Sequence, residues 1–263
     1  MENSLDVHAR ELREQGFTIV PEVLDRTQVA QTIDALESIF DREKEIAPLR
    51  GWYNDLYRVA YMLPQKHPIF RSFPLNPRLL PLMQLLLGQD CLLSSLNGLT
   101  MNPGGENQRL HTDAPRTPFN VLAINALHCL DDFTRENGAT RVVPKSQDRE
   151  FDGKPDVDAL EREAIYIEAP AGSLIAYNGG LLHAGSANKT TRQRRAIHAF
   201  FSRSWVKPQW DYSRSLSPDV LAEMSVEQKS VFGVDKHVCY YDPQTDVIVR
   251  NFKRDPTHKP ARA

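Results

Sequence analysis

The chain has 263 residues, of which 41% are hydrophobic and 25% charged, proportions that are ordinary for a globular protein with a buried core. Its 32 basic and 34 acidic residues give a net charge of −2, so the sequence offers no basic field that would favour nucleic acid as a partner. Three cysteines are too few, and odd in number, for a disulfide framework, which favours a reducing compartment.

Neither the N-terminus nor the most apolar stretch indicates a membrane protein. Residues 1–16, MENSLDVHARELREQG, are polar and lack the apolar core of a signal peptide. Residues 79–88, LLPLMQLLLG, are about half as long as a membrane span. We therefore expect a cytoplasmic protein without membrane or nucleic-acid partners, and the sequence leaves open whether it forms a homodimer.

A strand and two helices are predicted in the first third of the chain. The short β-type run FTIV precedes a helix over DRTQVAQTIDALESIFDREKE, which Asp25 can cap. The apolar residues of this helix form one stripe: Val29, Ile33, Leu36 and Phe40. A second helix is predicted with Asn76 as its cap, Pro77 in its first turn and Gly88 at its end. Residues 49–68 are aromatic without a clean period, which is typical of a lid or binding loop.

From Cys91 onward, short β-type runs dominate the sequence. The runs are CLLSSLNGLTM, NVLAINALHCL, TRVVP, AIYIEAP, GSLIAYN, RAIHAFFSRSW, HVCYY and VIVR. Turn clusters such as NPGGENQ and RENGA separate them, as expected of an antiparallel sandwich or barrel. Helical segments interrupt the pattern late in the chain, where Ser217 precedes Pro218 and where Ser225 and Gln228 can form a capping box.

These patterns predict one domain over residues 1–263, mainly β with flanking helices, of the double-stranded β-helix type (a cupin-like jelly roll). The helical part is expected at about residues 22–90 and the jelly-roll core at about residues 91–250. The basic C-terminal tail, KRDPTHKPARA, is expected to be flexible.

Three residues in the β region have the chemistry of a metal site, and a fourth could bind an anion. His111 and Asp113 are two positions apart, so in an extended segment their side chains project to the same side. Alone, this pair is more typical of a solvated turn. His183 follows seventy residues after Asp113, and two histidines with one carboxylate form the facial triad of non-heme iron oxygenases. Arg194, eleven residues further on, would suit the carboxylate of an anionic cosubstrate.

The sequence resembles the phytanoyl-CoA dioxygenase family of iron(II)- and 2-oxoglutarate-dependent oxygenases. Three motifs carry the resemblance in order, LHTD, LDDFTRENGATRVVPKS and LLHAGSANKTTRQRRA, and REQGFTIVPEVLDRTQV is similar to the family's opening strand and helix. The segment SWVKPQWDYSRSLSPDVLAEMSVEQKSVFG is similar to the C-terminal part of its small-molecule, natural-product branch. One departure is PKSQ, at residues 144–147, where many relatives read PGSH; it puts the shape of that turn in doubt.

The resemblance implies roles for individual residues. The positions that match the iron ligands, and hence the catalytic centre, are His111, Asp113 and His183. The positions that match contacts to 2-oxoglutarate are Arg194 for its distal carboxylate, or Arg195 if the register shifts by one, with Gln108, Thr140 and Arg58 as further candidates. Because Asp113 is a carboxylate, the halogenating branch of the family, which has a small residue there, is excluded.

The implied reaction is oxidation of a small organic molecule in natural-product biosynthesis, by hydroxylation, desaturation or rearrangement. Fe(II) is the metal, 2-oxoglutarate and O2 are cosubstrates, and succinate and CO2 are released. Candidate substrate contacts are Asn97, Tyr57 and Tyr61, although the two tyrosines could equally pack a long loop. His128 and His198 are interpreted as structural. Alternatives are an oxygenase that acts on an acyl-CoA or a macromolecule, and a non-catalytic jelly-roll binding protein.

Overall fold

The computed structural model describes residues 4–116, 121–150 and 156–234, and the backbone of two further strands, 239–242 and 247–250. The predicted basic tail lies outside the described residues. In the part of the chain that is described, no helix is both long enough and apolar enough to span a membrane.

The N-terminal part begins with helix α1 (Ser4–Glu14), strand β1 (Phe17–Val20) and helix α2 (Arg26–Glu43). The predicted cap of α2 is confirmed: the Asp25 carboxylate accepts from the backbone N–H of Gln28, and the Gln28 side chain accepts from the backbone N–H of Asp25. Helix α1 was not among the predicted elements, because its polar sequence has few apolar positions.

The prediction of an irregular loop over residues 49–68 is partly wrong. It contains strand β2 (Tyr57–Ala60) and the short helix α3 (Leu63–Lys66). Strand β2 pairs with the long strand β3 (Leu92–Met101) and so extends a sheet. The part predicted as helical, about residues 22–90, therefore also contains a strand, and β2 joins the sheet to which the predicted strand β1 belongs.

The helix predicted from Asn76 begins later than expected. Helix α4 spans Leu80–Leu87 and ends at Gly88, as predicted, but Asn76 is not its cap. Instead, the Asn76 side chain donates to the carbonyl of Val23 and accepts from the N–H of Arg78. Pro81 explains the late start, because it has no N–H for a bond to residue 77 and fits only in a first turn.

The remaining elements follow the predicted order of short strands. The strands are β4 (Ala123–Cys129), β5 (Thr140–Val142), β6 (Ile165–Tyr166), β7 (Leu174–Asn178), β8 (His183–Gly185), β9 (Arg194–Ser202), β10 (Cys239–Asp242) and β11 (Val247–Arg250). The helices are α5 (Val157–Glu163), α6 (Tyr212–Ser215), α7 (Pro218–Glu223) and α8 (Val226–Val231). The predicted caps of α7 and α8, at Ser217 and Ser225, are confirmed.

Among the described residues, the strands form two sheets and a hairpin. The main sheet has six antiparallel strands in the order β1-β7-β4-β9-β3-β2, the minor sheet has the order β6-β5-β8, and β10 pairs with β11. The prediction of a mainly β protein with flanking helices is therefore confirmed.

The two faces of the main sheet bury different clusters. The helix-facing side packs against α2, where Leu36 lies so close to Gly98 of β3 that a Cβ at Gly98 would meet its Cδ1 atom at 2.4 Å. The opposite side faces the minor sheet, and its core includes Leu127, Cys129 and Ile175. Side chains alternate along each strand, so every strand residue points to one face of the sheet or the other. This alternation determines which of the candidate site residues can reach the metal-binding side.

His128 belongs to the helix-facing side, as its interpretation as a structural residue implied. It pairs in register with Ile197 of β9, is fully buried, and packs edge-to-face on Phe73 with ring centroids 5.0 Å apart. Burial lowers the pKa of His128 from its ordinary value of 6.5 to about 4. The folded protein therefore holds this imidazole in its neutral form.

We expect His128 to make the fold sensitive to acid. Between pH 6.5 and 4 the unfolded chain binds a proton that the folded chain does not, so stability falls as the pH falls through this window. At pH 5 the loss amounts to about 2 kcal/mol. Urea unfolding at pH 7 and pH 5 measures this loss when the wild type is compared with His128→Leu. The two proteins share all other titrating groups, so the difference between their losses is the contribution of His128. Equal losses of stability in the two proteins would contradict the expectation.

Candidate metal centre

His111 and His183 are brought together by backbone pairing at the edge of the minor sheet. His183 opens strand β8, and His111 forms an isolated antiparallel bridge with it. The two residues exchange both backbone hydrogen bonds, each 3.0 Å long, and their ring centroids are 4.4 Å apart. His183 is thus the first residue of a short strand, which was not among the predicted runs.

The backbone also sets the tautomer of both imidazoles. His111 Nδ1 lies 2.9 Å from the carbonyl oxygen of Arg109, and His183 Nδ1 lies 3.0 Å from that of Leu181. Because a carbonyl oxygen only accepts, each Nδ1 carries the proton and donates it. With Nδ1 engaged in this way, Nε2 is the atom through which each histidine can bind a metal.

Asp113 completes the group and is held from the other sheet. Asn125 of β4 donates through Nδ2 to Asp113 Oδ2 at 2.7 Å, and the Asp113 backbone N–H bonds to the carbonyl of Gly179. Burial raises the pKa of the Asp113 carboxyl, but its contact with His183 and the surrounding histidines outweigh this and lower the pKa to about 2. The carboxylate is therefore ionised at neutral pH.

The donor set fits a divalent metal ion. Nε2 of His183 lies 3.2 Å from one oxygen of Asp113, and Nε2 of His111 lies 3.7 Å from the other. All three groups can therefore offer a ligand atom to a single cation between them. The ligand atoms all lie within 4.8 Å of one another. Two imidazole nitrogens and one carboxylate on one side suit a first-row ion and leave further coordination positions open.

A cavity of about 570 Å³ extends from this group along the inner face of the main sheet. Its lining includes the three metal-binding candidates and Arg194. The Arg194 side chain is 8% exposed and lies over the Phe133 ring, 4.5 Å from its centroid. Among the described residues no carboxylate ion-pairs with it, and its Nε has no hydrogen-bond partner. Burial lowers the pKa of Arg194 to about 10, which leaves it charged at pH 7.

Arg195 and Arg58 are turned to the helix-facing side, away from this cavity. Arg194 is in register with Met101, whereas Arg195 is in register with Thr100, which also pairs with Arg58. Arg195 makes two side-chain hydrogen bonds to Asp131, of 2.9 and 2.7 Å. The structure therefore brings Arg194 to the cavity and not its neighbour.

Arg58 is occupied by an ion pair on the same side. Its guanidinium donates to both oxygens of Glu37 at 3.0 and 3.1 Å, and it lies over the Phe40 ring. The expected role for Arg58 at the cosubstrate is therefore not supported, since neighbouring Tyr57 and Val59 line the cavity and Arg58 does not.

The other candidates divide between this cavity and its surroundings. Gln108 and Thr140 line the cavity, and Gln108 Oε1 accepts from the backbone N–H of Gly185 at 2.8 Å. Tyr57 lies at the rim and is 46% exposed. Asn97 lines a second cavity on the far side of Asp113. Tyr61 packs between Trp52 and Trp210, with ring centroids 5.1 and 6.2 Å away, and lines neither cavity.

Three residues near the metal-binding candidates carried no functional prediction. Asn125 orients Asp113, Phe133 supports Arg194, and His198, interpreted as purely structural, lines both cavities. Burial lowers the pKa of His198 to about 4, so it is neutral at pH 7. A sequence signal for two of these residues was available. Asn125 is two positions from Leu127, and His198 is two positions from Phe200, so in a strand each pair lies on the same face.

Comparison with known proteins identifies the family. Residues 12–196 match the sequence profile described as Phytanoyl-CoA dioxygenase (PhyH), well over half of the chain. The chain belongs to this family. An uncharacterized protein of Mycobacterium tuberculosis is 31% identical over 94% of this chain and 95% of its own length. Dioxygenase af480 of Aspergillus fumigatus is 29% identical over 87% of this chain and 76% of its own length.

Solved structures agree in fold with this member of the phytanoyl-CoA dioxygenase family. The non-heme alpha ketoglutarate dependent carbocyclase SnoK from nogalamycin biosynthesis gives a TM-score of 0.65 at 20% identity, over 86% of this chain and 94% of SnoK. The epimerase SnoN, in complex with Fe3+, alpha ketoglutarate and nogalamycin RO, gives 0.60 at 20% identity, over 76% and 84% of the two chains. The predicted jelly roll is confirmed. As a member of this family, the protein is an Fe(II)- and 2-oxoglutarate-dependent dioxygenase.

Proposed function

We propose that this dioxygenase oxidises a small organic molecule at an Fe(II) ion held by His111, Asp113 and His183. The observation that carries the proposal is the convergence of their three ligand atoms, within 4.8 Å of one another, at a cavity that Arg194 also lines. Among the described residues, this guanidinium forms no ion pair with a carboxylate. The open side of such a triad can take a bidentate cosubstrate and dioxygen. The iron and 2-oxoglutarate, when bound, supply the oxidising chemistry and release succinate and CO2.

The chain's own residues bind and orient the cosubstrate. The Arg194 guanidinium, buried beside Phe133, is placed to hold the distal carboxylate of 2-oxoglutarate through two charge-assisted hydrogen bonds. Thr140 and Gln108 offer hydroxyl and amide groups along the same cavity. Leu99, Leu127 and Met101 line the same cavity with apolar side chains.

The substrate is assigned to the small molecules of natural-product biosynthesis. Relatives named as dioxygenases come from fungi such as Aspergillus fumigatus, and SnoK and SnoN are described as acting in nogalamycin biosynthesis. Hydroxylation, desaturation and rearrangement all require the substrate carbon close to the triad, so these outcomes share the site described here. A small molecule is accordingly the expected partner.

An anaerobic titration tests this proposal. We expect Fe(II) and 2-oxoglutarate together, but not separately, to give the protein a weak visible absorption band from charge transfer between metal and chelated keto acid. Admission of oxygen should then yield succinate in proportion to the 2-oxoglutarate consumed. A protein that bound neither Fe(II) nor 2-oxoglutarate in calorimetry, and gave no band, would refute the proposal and favour the non-catalytic alternative.

A further inference from the structure

The second cavity is lined almost entirely by polar side chains and lies on the other side of Asp113 from Arg194. It has a volume of about 400 Å³, toward the lower end of small-molecule sites, which span roughly 300–1,000 Å³. Its lining residues are Ser94, Ser95, Asn97, Asp113, Asn125, His198, Phe200, Lys207 and Gln209. Phe200 is the one side chain in this set without a polar atom.

The strand register explains why these side chains share one cavity. Asn125, Phe200 and Ser95 are in register across β4, β9 and β3, and two residues further along Leu127, His198 and Asn97 are in register in the same way. Both rows therefore point to the inner face. The inner face thus changes from apolar side chains near Arg194 to a polar surface beyond Asp113, although the two cavities share only Asp113 and His198.

Two buried amide oxygens in this cavity lack hydrogen-bond donors. Asn97 is 7% exposed and Asn125 fully buried, and neither Oδ1 atom has a partner among the described residues. The orientation of the Asn125 amide is fixed, because its Nδ2 donates to Asp113 and a carboxylate cannot donate back. An unsatisfied buried acceptor is costly, so each oxygen calls for an O–H or N–H group.

Lys207 is the one lysine or arginine among the described residues that line this cavity, and it is exposed. Lys207 and Gln209 lie on the segment that follows β9, and this segment is tied to β3 through hydrogen bonds from the backbone N–H groups of Gln209 and Trp210 to Ser94. Lys207 forms no ion pair within the described residues. The positive charge of Lys207 would attract a ligand that carries one carboxylate.

We propose that this polar cavity is the substrate site and that the substrate is a small hydroxylated carboxylate. Its hydroxyl groups donate to Asn97 and Asn125, its carbon framework packs on Phe200, and its carboxylate pairs with Lys207. The proposal rests on the proposed function, because Asp113 then lies between the cosubstrate on one side and the substrate on the other.

Three ring compounds of similar size test this chemistry by ligand-observed NMR titration of the protein loaded with Zn(II) and 2-oxoglutarate. Quinate has hydroxyls and a carboxylate, cyclohexanecarboxylate lacks the hydroxyls, and myo-inositol lacks the charge. We expect quinate to bind about tenfold more tightly than either of the others, since each lost interaction is worth about a factor of ten. Equal binding of quinate and cyclohexanecarboxylate, or no binding of quinate, would overturn the proposal.

Substitutions of residues that line the second cavity test whether quinate binds there. Asn97→Leu should weaken quinate about tenfold while leaving the visible band with Fe(II) and 2-oxoglutarate intact, because Asn97 does not line the first cavity. Lys207→Met should weaken quinate about three- to tenfold and remove its advantage over myo-inositol, whereas Lys189→Met, another exposed lysine, should match the wild type. Quinate binding that is unchanged in both Asn97→Leu and Lys207→Met would overturn the assignment.

The design separates this inference from the function on which it rests. If the wild type gives no visible band with Fe(II) and 2-oxoglutarate but the metal-free protein still binds quinate through Asn97, the proposed function fails and the polar site stands. If the band forms and quinate does not bind, the polar site fails and the proposed function stands.

Discussion

Replacing Asp113 with asparagine is expected to abolish the visible band with Fe(II) and 2-oxoglutarate and to lower succinate formation by on the order of 1,000-fold. The change keeps the size of the side chain but removes the single negative charge of the group. One of the two carboxylate oxygens becomes an amide NH2, which cannot coordinate a cation, while the other oxygen can still accept from Asn125.

Calorimetric binding of Mn(II), which does not depend on turnover, measures the same loss directly. Asp34→Asn provides the control, since Asp34 is an exposed aspartate of α2 far along the chain from the site. We expect the control to bind metal like the wild type and Asp113→Asn to bind it at least 100-fold more weakly. Equal Mn(II) affinity in Asp113→Asn and the wild type would show that the carboxylate is not a ligand.

Elements with strong local signals could be predicted from the sequence. The caps at Asp25 and Ser225 lie at the start of helices that form as expected, because a cap acts within four residues of itself. Strands β3, β4, β7 and β9 also coincide with the predicted runs. Strand β2 was not predicted because its sequence contains no run of apolar residues. It lies at the edge of the sheet, where its side chains alternate between more exposed and buried positions.

The candidate site was predictable only where neighbours along the chain or the family resemblance indicated it. His111 and Asp113 are two positions apart, and the resemblance matched them and His183 to the iron ligands. The support for Asp113 comes from Asn125, a contact set by how the two sheets face each other, which no local pattern encodes. Arg58 illustrates the opposite error: its position near the cavity was expected, but the strand's alternation turns its side chain to Glu37.

Arg194 and Arg195 are adjacent arginines on opposite faces of β9, and we expect their substitutions to have opposite effects. Arg194→Met should raise the KM for 2-oxoglutarate about 10- to 100-fold, because a bidentate charge-assisted contact to a carboxylate is lost, with little change in turnover at saturating cosubstrate. Arg195→Met should leave this KM near the wild-type value, since its guanidinium bonds to Asp131 outside the cavity.

The melting temperatures of the proteins without cosubstrate should move in the reverse order. Arg194 is a buried charge without a carboxylate partner among the described residues, so methionine removes a desolvation cost, and the melting temperature should hold or rise by roughly 2–4 °C. Arg195→Met should lower the melting temperature, because the Asp131 carboxylate loses its side-chain partner.

Addition of 2-oxoglutarate and Mn(II) should raise the melting temperature of the wild type and of Arg195→Met but not that of Arg194→Met. A ligand that binds only the folded state stabilises that state, so a variant that no longer binds 2-oxoglutarate gains nothing from it. A lower melting temperature for Arg194→Met with an unchanged KM would mean that Arg194 serves the fold, and that the cosubstrate carboxylate is held elsewhere.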